Sequence, residues 1–451
     1  MKGNQNHAPT PMSAESSANL DASSLVNQTA TLLLYNDTLN TPVGRAWCHL
    51  LTQTARRVPT LDVLQAYSQC FAALAQSGHS WQSYLIAQLL YADNPFTQAA
   101  QRQQLNPGLE AAAAHDLAIL QHIYCEGDRL GRGIQLETGR SVIPLSALEG
   151  SPLPPFPLAT ALSQAAETPD HWPTLIADIA DHHCQHGVGP FARYHAFTWR
   201  QGQLTGITTP DPITLDNLTG YSHPRQQLLR NTEALLSGYP ALNVLLYGSR
   251  GSGKSSLVKA LLNEYGDRGL RLIEVPKDEL RQLPQIVAQI RQLPQTFILF
   301  VDDLSFEEDD DAFKALKVVL EGGVIARPSN VVVYATSNRR HLIREFYDDR
   351  PRPKDAGEIH QWDTVQEKLS FSDRFGLTLT FEPADQTAYL DIVRHLAHQA
   401  QLDIPAERLE RKALQWATRH NGRSGRTARQ FVDALTAAHH LQPDLEEADS
   451  S

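Results

Sequence analysis

Residues 248–255 carry the spacing G-x-x-x-x-G-K-S, a set of residue types that together can hold a triphosphate. Glycines in this pattern let the backbone turn so that main-chain N–H groups approach an anion. Lys254 is placed to reach the β- and γ-phosphates, and the Ser255 hydroxyl to bind Mg²⁺. We therefore predict an ATP and Mg²⁺ site whose phosphate loop comprises Gly248, Ser249, Arg250, Gly251, Ser252, Gly253, Lys254, Ser255 and Ser256.

Two carboxylates follow a second apolar run, at residues 297–301. A continuous apolar run is typical of a strand buried on both faces of a parallel sheet. Ligands bind at the carboxyl ends of such strands, which places both carboxylates beside the phosphate loop. We predict that Asp302 holds the Mg²⁺ shell and that Asp303 polarises the attacking water, although a glutamate is usual at the second position.

Two further segments contain candidates for nucleotide contacts. Asn338 ends the apolar run 330–335, where its side chain could reach the attacking water or the γ-phosphate. The sequence equally allows Asn338 to cap a helix that starts at Arg339. Near the adenine we place Leu218, Gly220 and Tyr221, with Tyr221 as the base contact, on chain order alone.

The elements that must position these residues follow from periodicity. Residues 244–247 predict a strand before the loop, and the helical spacing after it points a helix N-terminus at the phosphates. Further strands are predicted at 270–275, 297–301, 330–335 and 377–381, giving a five-stranded parallel α/β sheet with helices on both faces. Three helical stretches after residue 384 predict a lid without strands.

The chain divides by composition into six segments. Ala, Leu and Gln dominate a mostly α-helical N-terminal domain, and a Pro-rich stretch follows it. The predicted segments are a disordered tail (1–24), the helical domain (25–130), a mixed connector (131–210), the nucleotide-binding domain (211–383), the lid (384–441) and an acidic tail (442–451). Within the connector we predict short β-like pieces at residues 131–157 and a hairpin edge at residues 197–204.

Composition limits the cellular setting. The net charge of −11 gives no overall basic field for nucleic acid. The four cysteines form no C-x-x-C pair, which favours reduced thiols. Neither an 18-residue apolar run nor a signal segment is present, so we expect a cytoplasmic protein without membrane contact.

Two clusters invite a metal hypothesis. His182, His183, Cys184 and His186 lie within five residues, but adjacent ligands on one helix point in different directions and no second cluster completes a tetrahedral set. We expect a partly exposed helix end and leave metal binding open. The acidic block at residues 307–311 is expected to be a solvated loop.

The complete order of motifs resembles an AAA+ P-loop ATPase over residues 211–441. Within that superfamily, the segments at 320–328, 334–342 and 424–431 closely resemble a bacterial family of predicted AAA+ ATPases whose role is unassigned. The resemblance implies Walker A at 248–255, Walker B at Asp302 and Asp303, and sensor 1 at Asn338.

The resemblance also implies roles for two arginines. Arg374, in Ser-Asp-Arg-Phe, matches the arginine finger that enters a neighbouring subunit's site, which implies a homo-oligomer, either a ring or a dimer. Arg426 matches the sensor 2 arginine of the lid, with Arg429 as a substitute one helical turn away. On residue type alone, both could be surface ion-pair residues.

Three functions are compatible with these features. The first is an ATP-hydrolysing enzyme that remodels or switches a partner, supported by the set Lys254, Asp302, Asp303, Asn338 and Arg374. The second is a nucleotide-gated binding, scaffold or loader module with little turnover, supported by Asp303 in place of glutamate. A small-molecule kinase is the weakest. Residues 276–280 lack the aromatic triplet of threading AAA+ unfoldases and no helix-turn-helix follows the lid, so a protein or nucleic-acid client is expected at the N-terminal domain.

Overall fold

The structure is a computed structural model of the 451-residue chain. It describes residues 21–148, 153–166, 168, 171–304, 311–321, 328–338, 374–420 and 422–441. Two compact units divide the chain, Met1–Arg193 and Tyr194–Ser451. The predicted acidic tail and most of the predicted N-terminal tail lie outside the described residues, whereas residues 22–24 of that tail already belong to a helix that Asp21 caps.

The first unit is helical throughout its described residues. At its centre the rings of Trp47 and Trp81 stack at 4.6 Å. The buried Asp116 carboxylate accepts backbone N–H groups of residues 33–35. The helices are α1 (Ala22–Thr29), α2 (Pro42–Ala55), α3 (Thr60–Ser77), α4 (Trp81–Leu90), α5 (Pro95–Gln101), α6 (Pro107–Thr138), α7 (Pro157–Ala165), α8 (Ile176–His186) and α9 (Gly189–Arg193).

The predicted β-like pieces and domain boundary near residue 131 are wrong, because α6 continues to Thr138. Its glycines reflect close packing: a Cβ on Gly127 would lie 2.2 Å from Trp81 Cδ1, and one on Gly131 would lie 3.1 Å from the Tyr67 hydroxyl. The rest of the predicted connector is also divided, since α7 to α9 belong to the first unit and the following hairpin to the second.

The second unit contains the predicted parallel sheet, which has seven strands where we predicted five. The order is β2-β1-β4-β5-β6-β3-β7. A hairpin extends the sheet, because β1 pairs in parallel with β4 and antiparallel with β2. The strands are β1 (Ala196–Arg200), β2 (Gln203–Ile207), β3 (Val244–Gly248), β4 (Leu270–Glu274), β5 (Thr296–Val301), β6 (Val331–Ser337) and β7 (Leu377–Phe381).

Helices cover the sheet and form the lid. Leu228 on one helix and Leu261 on another pack with Leu246 of β3 in one core. Leu245, on the other face of β3, is also fully buried, as the apolar run predicted. The helices are α10 (Ser222–Leu236), α11 (Lys254–Tyr265), α12 (Leu283–Ile290), α13 (Asp311–Glu321) and the lid helices α14 (Gln386–Gln399), α15 (Ala406–Arg419) and α16 (Gly425–Leu441). The α/β fold with a helical lid is confirmed.

The strand register determines what lies at each edge of the sheet. Leu246 of β3 aligns with Thr336 of β6, and Val301 of β5 aligns with Ala335. The carboxyl ends of β3, β5 and β6 therefore lie side by side. We use "edge" for such a row of strand ends and not for an outermost strand. Val244 aligns with Leu377, so the residues before β7 lie at the opposite edge.

None of the helices in the described ranges combines the length and apolar character that crossing a membrane would need.

Candidate functional site

The loop after β3 has the backbone that phosphate binding needs. Gly248 has φ 148°, and a Cβ there would lie 1.9 Å from the Phe381 carbonyl oxygen. Gly253, at φ 86°, is the N-cap of α11. These left-handed conformations strain any residue with a Cβ, and they leave the α11 N-terminus open to an anion. Residues 250–256 line a cleft of about 630 Å³.

Lys254 lies at the centre of the loop and is 6% exposed. Its ammonium donates to the carbonyl oxygens of Gly248 at 3.0 Å and Ser249 at 2.8 Å. Burial lowers the pKa of Lys254, and the nearby Asp302 and Asp303 oppose that shift. The lysine is thus placed at the bottom of the cleft as a cation partly stripped of water, which strengthens its attraction to a phosphate.

Ser255 and Asp302 come together as the sequence predicts for a metal site. The Ser255 hydroxyl donates to Asp302 Oδ1 at 2.6 Å. Hydroxyl and carboxylate oxygens are the ligand types Mg²⁺ prefers, and Mg²⁺ normally takes one or two protein ligands beside water and phosphate oxygens. The pair therefore fits Mg²⁺, with Ser255 and Asp302 as the residues that would hold it.

Thr336 is a site residue that the sequence analysis missed. It is 2% exposed, and its hydroxyl donates to Asp302 Oδ1. The Thr336 hydroxyl oxygen accepts the backbone N–H of Asp303 at 3.0 Å. Thr336 therefore holds the Asp302 carboxylate and the Asp303 backbone from the neighbouring strand. A hydroxyl at the carboxyl end of β6, one strand away from Asp302, was the available signal.

Asp303 and Asn338 form a second pair at the same edge. Asn338 Nδ2 donates to Asp303 Oδ1 at 2.7 Å, and Asn338 Oδ1 lies 3.4 Å from Lys254 Nζ. Asp303 has φ 50°, in the left-handed region. Residues held in such conformations cost about 1–3 kcal/mol and cluster at functional sites. The helix that Asn338 was alternatively expected to cap lies outside the described residues.

The lid contacts the phosphate loop directly. The Arg426 backbone N–H donates to the Gly251 carbonyl oxygen at 3.3 Å. A Cβ on Gly251 would lie 2.8 Å from Ser424 Oγ, so the two segments are closely packed. The side chains of Arg426 and Arg429 are exposed and both residues line the cleft. Two arginines thus border a site that has the shape and charge for a phosphate.

The predicted base-binding segment also borders the cleft. Leu218 and Tyr221 line it, whereas Gly220 lines an adjoining depression instead. The Tyr221 hydroxyl donates its proton to the Glu382 carbonyl oxygen at 2.6 Å, which leaves the ring face and the acceptor lone pairs for a ligand. Gln399 of α14 donates to the Asp216 carbonyl oxygen at 2.9 Å, a lid contact that the sequence did not indicate.

Arg374 is not brought to this cleft. It precedes β7, whose first residue aligns with the first residue of β3, whereas the phosphate loop follows the last. Four residue steps along a strand span about 13 Å, so the two ends of β7 lie roughly that far apart. Arg374 is therefore at the opposite edge of the sheet from its own phosphate loop.

The histidine cluster is a packed core element. His182 and His183 are 5% and 0% exposed, so the predicted partly exposed helix end is wrong for them. Their nitrogens contact carbonyl oxygens, with His182 Nε2 3.2 Å from Leu90 and His183 Nδ1 3.0 Å from Gly187. No metal-binding group of histidine, cysteine or acidic residues occurs in the described ranges. Most of the acidic block at 307–311 lies outside them.

Comparison with known proteins identifies one family. Its model, described as a protein of unknown function (DUF815), matches residues 192–439, just over half of the chain. Among curated proteins the chain has no match.

Solved structures of Thermotoga maritima RuvB are similar to part of the chain. One, described as the RuvB Holliday junction branch migration motor, is 15% identical with a TM-score of 0.36, covering 51% of this chain and 66% of that one. A RuvB mutant is 16% identical with a TM-score of 0.37 and the same coverage. Another is 15% identical with a TM-score of 0.32, covering 50% of this chain and 72% of that one.

Proposed function

The chain belongs to the DUF815 family, and we propose that it is an AAA+ enzyme that binds and hydrolyses ATP with Mg²⁺ to remodel or switch a partner. One observation carries this proposal. At one edge of the sheet, Asp302 accepts a hydrogen bond from Ser255 of the phosphate loop, and Asp303 accepts one from Asn338. This arrangement supports the proposal because it would leave one carboxylate to hold the metal ion and the other to polarise the attacking water, two roles that nucleotide hydrolysis uses.

The phosphate loop and lid would bind the nucleotide. Backbone N–H groups at the start of α11 and the Lys254 ammonium would hold the β- and γ-phosphates. Arg426 would approach the γ-phosphate from the lid, with the Tyr221 ring near the base. A Mg²⁺ ion held by Ser255 and Asp302 would supply charge neutralisation at the phosphate oxygens.

Asp303 would act on the attacking water. Its carboxylate accepts from Asn338, which orients it and leaves the other oxygen available to take a proton. Asn338 also lies 3.4 Å from Lys254, so one amide spans the groups that face the γ-phosphate and the water.

Arg374 would complete the site of a neighbouring copy. Its location at the opposite edge of the sheet supports action in trans, because the strand separates it from its own phosphate loop. Arginine fingers are worth about 10³–10⁵ in rate in well-studied cases. The proposal therefore includes a homo-oligomer, a ring or a dimer, as the active form.

The first unit would bind the partner. The family match begins at residue 192, almost where the second unit begins, so residues 1–193 lie essentially outside the part that the family model describes. A protein or nucleic-acid client held there would couple the nucleotide cycle to an external task.

The test is steady-state ATP hydrolysis as a function of protein concentration. Wild type should show specific activity that rises with concentration, and Arg374→Ala should lose about 10³-fold or more while still binding ATP. Lys254→Ala should lose ATP binding itself. Arg200→Ala, an exposed arginine at the end of β1, is the matched control and should behave as wild type. Specific activity that does not change with protein concentration or with Arg374→Ala would refute the role of Arg374 as an arginine finger.

A nucleotide-gated binding module with little turnover is the second candidate. It is favoured by one observation, the aspartate at position 303, one methylene shorter than the usual glutamate. Tight Mg²⁺-dependent ATP binding with no hydrolysis at any protein concentration would select it over the enzyme.

A further inference from the structure

Two exposed apolar side chains lie at the sheet edge that carries Arg374. Tyr239 is 67% exposed and Leu242 is 45% exposed, both in the segment between α10 and β3. Leu242 reaches the residues before β7, since a Cβ on Gly376 would lie 2.8 Å from Leu242 Cδ2. Leu242 therefore adjoins the Arg374 segment, and we term the exposed side chains of Leu242 and of Tyr239, three residues before it in the chain, the apolar patch.

The segment that carries the patch is held firmly. Asn231 of α10 clamps Leu242 with two bonds of 2.9 Å, from Nδ2 to the Leu242 carbonyl oxygen and from the Leu242 N–H to Oδ1. The buried Asn243 accepts the Leu377 N–H through its carbonyl oxygen, which ties the segment to β7. Ordering this segment on binding would thus cost little conformational entropy.

We propose that the apolar patch is the contact through which a second copy of this chain docks when Arg374 enters its nucleotide cleft. This inference rests on the proposed trans arginine finger and identifies the surface that delivers it. Arg374 can reach a phosphate in another copy only if the surface around it meets that copy. The apolar side chains beside it would then be buried.

Charge complementarity selects a second copy as the occupant. The cleft of each copy exposes the carboxylates of Asp302 and Asp303, whereas the segment beside Leu242 carries the half-buried cationic Arg374. Arginine and aromatic residues, here Arg374 and Tyr239, are enriched at interface centres. Under the proposed function, the cleft of one copy receives its arginine finger from the other.

Tyr239→Ser and Leu242→Ser test the patch. Each should raise the protein concentration for half-maximal specific ATPase activity by about tenfold or more, the scale of a central interface residue. The plateau rate should equal that of wild type because neither residue lines the cleft. Leu61→Ser, with 65% exposure in the first unit, is the matched control. Sedimentation velocity with ATP and Mg²⁺ should show the same weakening of self-association.

Mixing two inactive variants makes the test specific for one face. The Lys254→Ala chain cannot bind ATP but retains Arg374, and the Arg374→Ala chain binds ATP but lacks the arginine finger. In a mixture, the first chain can supply Arg374 to the cleft of the second, so ATPase activity should be recovered. Adding Leu242→Ser to the Lys254→Ala chain should reduce the recovery, because that chain delivers the finger. Adding it to the Arg374→Ala chain should reduce it far less.

The results separate failure of the patch from failure of the proposed function. The docking role of the apolar patch would be refuted if Leu242→Ser reduced the recovered activity equally in either chain. It would also be refuted if the patch variants showed wild-type sedimentation and a wild-type dependence of activity on protein concentration. No recovery in the parental mixture, with wild type hydrolysing ATP, would remove the trans finger and the docking role with it. If the patch variants unfold thermally and bind ATP as wild type does, misfolding is excluded as the cause of a change in the protein concentration for half-maximal activity.

Discussion

Replacing Thr336 with valine keeps the branched shape of a buried side chain and removes one hydroxyl from the end of the sheet that carries Asp302 and Asp303. That hydroxyl donates to Asp302 Oδ1 and accepts the Asp303 N–H at 3.0 Å. With valine, Asp302 Oδ1 retains the Ser255 hydroxyl at 2.6 Å and the Asp303 N–H at 3.2 Å, whereas the Asp303 N–H loses its acceptor on β6. We predict that metal binding and turnover suffer while the fold remains.

Two independent estimates give the size of the effect. Residues that orient a metal ligand typically contribute 10–100-fold to metal affinity or activity, which corresponds to about 1.4–2.8 kcal/mol. A hydrogen bond to a charged group is worth about 1.5–3 kcal/mol. The ranges overlap, so Thr336→Val should lower kcat or raise the Mg²⁺ concentration for half-activity by about 10–100-fold.

The assay is ATP hydrolysis at varied Mg²⁺ and varied ATP. Thr336→Ser retains the hydroxyl and should remain within a few-fold of wild type, whereas ATP binding without Mg²⁺ should be the same in all three proteins. A valine variant with wild-type kcat and Mg²⁺ dependence would refute the role of the hydroxyl. Equal losses in the serine and valine variants would instead assign the effect to packing.

Two further predictions concern other parts of the chain. Burial lowers the pKa of His182 to about 3 and of His183 to about 4, so both imidazoles stay neutral in the folded protein. The free energy of unfolding should therefore be highest above the unfolded pKa of about 6.5. It should decrease as the pH falls towards the folded pKa values, by at most about 1.4 kcal/mol per pH unit per histidine. Thermal unfolding from pH 7.5 to 5 should show this slope for wild type and a smaller one for His183→Gln. Gly251→Ala and Gly238→Ala, at φ 76° and 75°, should both lose about 1–2 kcal/mol of stability, yet only Gly251→Ala, whose Cβ meets Ser424, should weaken ATP binding in a nucleotide titration.

The parts of the site that the sequence predicted are those with local signals or strand-end signals. The strand, loop and helix around Lys254 are contiguous, so spacing alone indicated them. Asp303 and Asn338 follow separate apolar runs, and the rule that ligands bind at the carboxyl ends of parallel strands placed both at the end of the sheet where they pair. Their assignment to roles remains a proposal.

What the sequence did not predict depends on non-local packing. A hairpin was predicted near β1 and β2 from local sequence. Its position as the two outermost strands of the sheet depends on the pairing of β1 with β4, which is distant in sequence. The domain boundary predicted near residue 131 falls at Gly131, whose close approach to Tyr67 makes it a packing position inside α6. Thr336 was overlooked because its role is defined by a neighbouring strand.

The backbone at Asp303 bears on the choice between an enzyme and a binding module. Successive side chains of a strand point to opposite faces, yet Asp302 and Asp303 both contact site residues at the same edge. The left-handed φ of 50° at Asp303 departs from strand geometry and costs about 1–3 kcal/mol. Two contacts hold it there, from its N–H to Thr336 and from Asn338 to its carboxylate. A module that only binds nucleotide would gain nothing from that strain, because Ser255 and Asp302 already account for the metal. The strained second carboxylate therefore favours hydrolysis.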